Sequence, residues 1–392
     1  MTNQRARLAV IGMGNMGSAH ARDVAALPNA ELVAVCDLIP ERAESAASQL
    51  GARSYTHFQE MLAAGGLDGV IIATPHYDHT PISSACFESG VHVLTEKPIA
   101  VTVSDAKAMI TAYEHARQLK PSLKFAIMFQ MRTFGRWQKV KQMIADGQLG
   151  RLVRATWVIT DWFRTQAYYD NGQWRATWKG EGGGVLLNQC PHNLDLYQWF
   201  FGMPQKVVGF ASIGKYHNIE VEDEVSAYFE HPGGMVGHFI TSTAESPGTN
   251  RLEIVGENGK LVVKDGALRF WRNDHSMLEH LRTSPDAYAP VQHQTLNIPF
   301  EHHGQPGHAL IIENFANAIL HDEPLIVPAP EGIGQIELGN AIMLSSFTSQ
   351  PVDLPMDADA YAAELAGRVR NSRFKKVVST VAPTDIANSF KS

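Results

Sequence analysis

Residues 8–20 read LAVIGMGNMGSAH, and this stretch decides the fold. Leu8–Gly12 is an apolar run with the length of a buried parallel strand, too short for a helix. It runs into Gly12-x-Gly14-x-x-Gly17, with Asn15 and Met16 between the glycines, and then into Ser18–Leu27, whose apolar spacing suits a helix. In such a turn the first glycine permits the sharp bend, the second lets the backbone approach a pyrophosphate, and the third allows close helix–strand packing. The phosphates then meet the helix N-terminus, where free N–H groups and the dipole favour negative charge. Working outward, Leu32–Cys36, Gly69–Ala73 and Val91–Leu94 read as further buried strands, with Pro40–Leu50 and Asp78–Ser89 as intervening helices. A strand near Lys124–Phe129 closes the series. The alternation predicts an α/β, doubly wound parallel sheet of Rossmann type over residues 1–128.

Asp37 ends the second strand, 20 residues beyond Gly17. A carboxylate there accepts hydrogen bonds from both adenosine ribose hydroxyls and repels a 2′-phosphate. Leu38, Ile39 and Pro40 follow, so no arginine adjoins it, although Arg42 is close in sequence. NAD is therefore expected in preference to NADP.

Beyond this domain the texture changes. Leu152–Thr160, Lys206–Ile213, Val225–Glu230, Met235–Thr243, Arg251–Gly256 and Lys260–Lys264 read as strands, some joined by turns such as His231-Pro232-Gly233-Gly234. A sheet-rich second domain over residues 129–352 follows, with Gly307–Leu320 as a helix. Residues 353–392 read as an extension: an amphipathic stretch at Ala358–Val369 and a loose basic terminus.

The composition bounds the function. The chain has 392 residues, 44% hydrophobic and 19% charged, which is ordinary for a globular protein of two or three domains. A net charge of −7 argues against nucleic acid or an anionic membrane as the main partner. No apolar run approaches the roughly 20 residues of a transmembrane helix, and no signal peptide is visible. Cys36, Cys86 and Cys190 form no C-x-x-C pair, which speaks against a disulfide scaffold or structural zinc and for a cytoplasmic protein with free thiols. The stretch His302-His303-Gly304-Gln305-Pro306-Gly307-His308 lacks a helical HxxxH register and nearby cysteines, so no metal site is expected; His308 stands to line the active-site cleft instead.

Glu96-Lys97-Pro98 follows a core strand, at the carboxyl end where open parallel sheets keep their ligand crevice. A lysine there is ordinarily a solvated charge, but beside a nicotinamide it can hydrogen-bond a substrate oxygen and stabilise a developing alkoxide. Thr74-Pro75 ends the strand before it, and His76 and His79 follow that turn near the expected nicotinamide position. Further on, Gly182-Gly183-Gly184 leads to Asn188-x-x-x-His192-x-x-Asp195, with Pro191 suited to the first turn of a helix.

Taken together, the GxGxxG turn, Thr74-Pro75, Glu96-Lys97-Pro98 and the Asn188–His192 segment resemble the Gfo/Idh/MocA oxidoreductases, typified by glucose–fructose oxidoreductase and inositol dehydrogenase. The resemblance spans residues 7–349. It implies a C-terminal α/β domain with a large open, mostly antiparallel sheet, and a homodimer or homotetramer packed through that sheet. It also implies NAD(P)-dependent redox chemistry on a sugar, sugar derivative or cyclitol. His192 falls on the family's catalytic histidine position, where it would take the hydroxyl proton while hydride leaves the carbinol carbon, and Lys97 would hold the same oxygen. One departure stands out: many members carry Asp where this chain has Asn188, which can hydrogen-bond a hydroxyl but cannot act as a base. A dehydrogenase, a redox-assisted glycosidase (oxidation, elimination, re-reduction) and a dinucleotide-binding sensor without turnover all remain compatible with these residues.

The segment Asp161–Trp178, DWFRTQAYYDNGQWRATW, reads as the substrate side. Trp162, Tyr168 and Trp174 offer planes for the C–H faces of a sugar ring, and Arg164 and Arg175 offer donors to hydroxyls or an anionic group. Arg132 occupies a position near the substrate in the family the sequence resembles.

Overall fold

The computed structural model describes residues 4–301 and 307–378. It divides into two compact units, one within Met1–Phe134, Lys179–Gly182 and His303–Glu337, the other within Gly135–Trp178, Gly183–His302 and Leu338–Ser392.

The first unit is built on six strands: β1 (Ala6–Ile11), β2 (Ala30–Cys36), β3 (Arg53–Tyr55), β4 (Gly69–Ile72), β5 (His92–Thr95) and β6 (Phe125–Ile127). They pair in the order β3-β2-β1-β4-β5-β6, all in parallel. The order reverses at β1 and β4, the point where doubly wound sheets open their ligand crevice. Val10, Val70, Ile71, Val93 and Leu94 are fully buried, as short apolar strands covered on both faces require. Pro40–Leu50 is helical over the residues the sequence indicates, with Pro40 in its first turn and Gly51 (φ 72°) ending it. β3 and the helix Phe58–Ala64 were not anticipated, because Arg53-Ser54-Tyr55 is short, polar and half exposed.

The second unit holds nine strands: β7 (Leu152–Ile159), β8 (Lys206–Ile213), β9 (Glu222–Glu230), β10 (Val236–Ser242), β11 (Asn250–Gly256), β12 (Gly259–Lys264), β13 (Ala267–Asn273), β14 (His293–Asn297) and β15 (Val352–Asp353). Their order is β14-β13-β12-β11-β7-β10-β9-β8-β15. Every pairing is antiparallel except β7 with β10. One face is covered by the helices Gly135–Ala145 and Pro191–Phe201, where Trp137 packs 5.4 Å from Trp157 and 6.0 Å from Phe200. Along β8 and β10 the alternation leaves Phe210 and Ile240 exposed on the other face. The helix Ala358–Asn371 follows β15; of the terminus read as loose beyond Val369, residues 372–378 carry no helix or strand yet are held at Lys376, which donates to the Tyr169 and Arg175 carbonyls, and residues from 379 onward lie outside the described ones. No described helix is long and apolar enough to cross a membrane.

Candidate active site

In the first unit the glycine turn joins β1 to the helix Asn15–Ala26. Gly12 sits at φ +91°, and a Cβ on it would lie 2.7 Å from the Ala73 carbonyl oxygen. A Cβ on Gly17 would lie 1.7 Å from the Gly12 carbonyl oxygen. These two glycines are demanded by the protein's own packing. Gly14 differs: a Cβ there would meet nothing within 4 Å, so the backbone is bare toward open space. The helix starts at Gly14 with no side-chain cap and no acidic residue in its first turn, which keeps its N–H groups and dipole available to an anion. Asp37 stands beside this turn, its Oδ2 accepting from the Met13 N–H at 2.7 Å and its Oδ1 from the Ile39 N–H at 2.9 Å. A cleft of about 400 Å³ opens alongside, lined among others by Met13, Ser18, Arg22, Arg42 and Ser45. Bare backbone, an uncapped helix N-terminus and a carboxylate beside them together fit a dinucleotide.

At the end of β5, Glu96 is 6% exposed, and its carboxylate bridges two elements. Oε1 lies 2.7 Å from Nε2 of the fully buried His20, and Oε2 accepts the Lys97 N–H at 3.0 Å. Burial alone would raise the Glu96 pKa; the His20 hydrogen bond and neighbouring positive charge overcome it and hold the carboxyl down at about 2. His308 opens the helix His308–His321, its ring 5.4 Å from that of His20, and burial pushes its pKa down to about 4. The remaining histidines of the stretch it ends, His302 and His303, lie outside the described residues.

Two other histidines tie loops together. His79 is fully buried, with Nδ1 at 2.8 Å from the Pro98 carbonyl and Nε2 at 3.1 Å from the Thr74 carbonyl. It thus joins the loop after β4 to the loop after β5, and burial keeps its pKa lowered. His76 Nδ1 lies 2.9 Å from the Glu181 carbonyl. Arg132 is 2% exposed and pairs with Glu331 at 2.5 Å.

In the second unit, Asn188 ends the short helix Val185–Asn188 and His192 lies in the first turn of Pro191–Phe201. Buried Glu222 organises this segment from β9, accepting the Gly184 N–H at 2.8 Å and the Leu186 N–H at 3.0 Å. Gly184 is obligatory here, since a Cβ would lie 2.0 Å from the Glu222 carbonyl oxygen. The aromatic segment forms an alternating stack. The Arg164 guanidinium lies 5.5 Å from the Trp162 ring centre and 5.1 Å from that of Tyr168; Arg175 lies 4.7 Å from Tyr168 and 4.6 Å from Trp174. Behind it, His217 bonds Asp223 at 3.0 Å and the Arg164 carbonyl at 2.9 Å, while Lys376 Nζ donates to the Tyr169 and Arg175 carbonyls. Burial works against charge on both members of the His217–Asp223 pair, yet their mutual bond raises the pKa of His217 and lowers that of Asp223.

The structure therefore gathers Gly12, Gly14, Gly17 and Asp37 at one turn, Glu96 with Lys97, and Trp162, Arg164, Tyr168, Trp174 and Arg175 in one stack. Sequence reasoning missed His20, Glu222 and Gln189. His20 had a signal: it interrupts the buried Gly17, Ala21, Val24 stripe of its helix.

This architecture and these residues define an NAD-binding oxidoreductase. Residues 6–120 match the oxidoreductase family with NAD-binding Rossmann fold, and residues 137–262 match the GFO/IDH/MocA C-terminal domain. The chain belongs to the Gfo/Idh/MocA family. It is similar to the scyllo-inositol 2-dehydrogenase (NAD(+)) of Bacillus subtilis, 24% identical across 89% of this chain and 96% of that one. It is similar also to the inositol 2-dehydrogenase of Rubrobacter xylanophilus, 28% identical across 67% of this chain and 72% of that one. Among solved structures, the WlbA dehydrogenase of Chromobacterium violaceum, in complex with NADH and UDP-GlcNAcA, superposes with a TM-score of 0.78. That match has 27% identity and covers 91% of this chain and 98% of the other.

Proposed function

We propose that the protein is an NAD-dependent dehydrogenase that oxidises a secondary alcohol of a sugar, sugar derivative or cyclitol. The observation that carries this reading is Lys97, held at the carboxyl end of β5 in the NAD-binding unit by the ionised Glu96. Bound NAD⁺ supplies the hydride acceptor. The chain's residues manage the rest. Lys97 donates a hydrogen bond to the carbinol oxygen, and His192 takes the hydroxyl proton as the carbon loses hydride, leaving a ketone. An imidazole suits this task because it takes and returns a proton near neutrality. Asn188 donates to or accepts from a substrate hydroxyl, which removes the carboxylate that many relatives carry there and leaves proton handling to Lys97 and His192. The Trp162–Trp174 stack receives the ring.

The inositol dehydrogenase relatives support the substrate class, and no observation favours a redox-assisted glycosidase or a sensor. The exposed Phe210 and Ile240 support a homo-oligomer, dimer or tetramer, joined through the open sheet face. Purified protein incubated with NAD⁺ and a panel of sugars and cyclitols should produce NADH with at least one of them. Lys97→Ala and His192→Ala should abolish that turnover while NAD⁺ still binds; full activity in His192→Ala would sink its assigned role.

A further inference from the structure

We propose that Tyr168 and Arg175 form a subsite for an anionic group, carboxylate or phosphate, carried by the substrate, with Gln189 accepting from a hydroxyl beside that group; this rests on the dehydrogenase reading above and names the substrate class more narrowly. The phenol oxygen of Tyr168 accepts two hydrogen bonds, from Arg175 Nη1 at 2.8 Å and from Gln189 Nε2 at 3.0 Å. With two donors on that oxygen, its own proton points away from both and is available to a third partner. Gln189 is 4% exposed, and its Oε1 has no hydrogen-bond partner among the described residues. Such an orphaned buried oxygen is costly unless a ligand hydroxyl meets it. Trp162 is 7% exposed, with its Nε1–H in the same condition.

Charge decides which ligand fits. Arg164 and Arg175 lie 5.1 and 4.7 Å from the centre of the same Tyr168 ring, so two guanidinium groups flank one phenol. Among the described residues Arg175 has no carboxylate within salt-bridge distance. An anion that accepts the Tyr168 hydroxyl proton also stands beside the Arg175 guanidinium, which can donate a charge-assisted hydrogen bond to it. A neutral sugar hydroxyl would satisfy Gln189 and leave the guanidinium charge uncompensated.

The segment is also fixed in advance of binding. Lys376 Nζ donates to the Tyr169 carbonyl at 2.5 Å and to the Arg175 carbonyl at 2.8 Å, and the Tyr169 hydroxyl bonds Thr243 at 2.8 Å. Gln189 is the chain neighbour of Asn188 and precedes the turn that leads to His192. A group held by Gln189 and Tyr168 is therefore tied through three residues of backbone to the proposed proton acceptor.

The test compares D-glucuronate, D-glucose 6-phosphate, D-glucose and myo-inositol, both as substrates with NAD⁺ and as ligands of the NADH-loaded protein by titration calorimetry. One of the two anionic probes should bind at least about tenfold more tightly than its neutral counterpart, and which of them does so separates carboxylate from phosphate. Arg175→Met and Tyr168→Phe should weaken that binding, and raise KM, about 10- to 100-fold, the range for a lost charge-assisted hydrogen bond, with kcat for any probe turned over changed far less. Arg175→Lys should recover part of the loss for the anionic probe alone. Equal binding of anionic and neutral probes, or no binding of either anionic probe, would overturn the inference. NADH formation from neutral probes alone would refute it and leave the dehydrogenase reading standing. Anion-selective binding with no turnover of anything would do the reverse.

Discussion

His20→Ala should cost the first unit about 3 kcal/mol at pH 7. The variant removes the imidazole that sits 2.7 Å from Oε1 of Glu96 and leaves a carboxylate that is 6% exposed with the Lys97 N–H as its remaining partner. The magnitude follows from the displacement of the Glu96 pKa, from 4.5 to about 2. At about 1.36 kcal/mol per unit, that displacement corresponds to about 3 kcal/mol of preferential stabilisation of the charged form. Breaking a buried pair by deleting one partner costs a similar about 3–5 kcal/mol. Because the folded value lies below the unfolded one, this stability is present in full above pH 4.5 and is lost as the pH falls toward 2. Urea unfolding at pH 7 measures the loss. The same substitution in a Glu96→Gln background isolates the pair, since an amide needs no compensating charge. A coupling energy under about 1 kcal/mol in that cycle would refute the reasoning, because the imidazole would then act only by filling space.

Gly14→Ala and Gly17→Ala should part company. The first adds a methyl where nothing lies within 4 Å, at φ −70° and ψ −164°, so unfolding stability should hold within about 1 kcal/mol while the Kd for NAD⁺ rises at least about tenfold. The second drives a methyl to 1.7 Å from a carbonyl oxygen and should cripple folding itself; equal NAD⁺ affinity in Gly14→Ala and the parent would contradict the proposed phosphate cradle. Acid should destabilise the protein well above the range of Glu96. Burial holds His92, His231 and His308 at about 4, below the 6.5 of the unfolded chain, so the unfolded state takes up protons first as the pH falls from 6.5 toward 4. Each contributes a loss of about 2 kcal/mol by pH 5, measurable as a falling urea midpoint, and His92→Gln should flatten the curve by one histidine's share.

The first unit was largely legible because each of its main strands is an uninterrupted apolar run and its decisive turn needs glycine for reasons of space. Gly12 and Gly17 are dictated by atoms 2.7 and 1.7 Å away, whereas at Gly14 no neighbouring atom demands a glycine. The short polar strand β3 had no such signature. In the second unit the strands showed through their alternation, yet their order did not: β7 lies between β10 and β11, a neighbourhood set by pairing across 75 residues and more, which no local pattern encodes. The individual site residues were legible by type and spacing, and their partners were not. Lys97 announces itself after a strand, whereas His20, 76 residues before its partner Glu96, looks like an ordinary polar interruption of a helix.

The contacts that escaped, those of the carboxylates organising the turns, share one physical reason. Asp37, Glu96, Glu222 and Asp223 each accept backbone N–H groups from the turn that carries functional side chains: Met13 and Ile39 for Asp37, Lys97 for Glu96, Gly184 and Leu186 for Glu222, Lys215, Tyr216 and His217 for Asp223. A backbone N–H has no sequence identity, so a carboxylate that organises a loop through such groups leaves no recognisable residue pair. The arrangement is costly, since three of these four acids are buried, and it persists because unsatisfied N–H groups at irregular turns would cost a comparable amount. In the proposed mechanism, Lys97 and the Asn188 segment are therefore held by Glu96 and Glu222, which need make no contact with substrate. Replacing Glu222 with Gln keeps one acceptor and loses the other, so it should loosen the Gly184–Leu186 turn more than it changes any charge near the reacting oxygen.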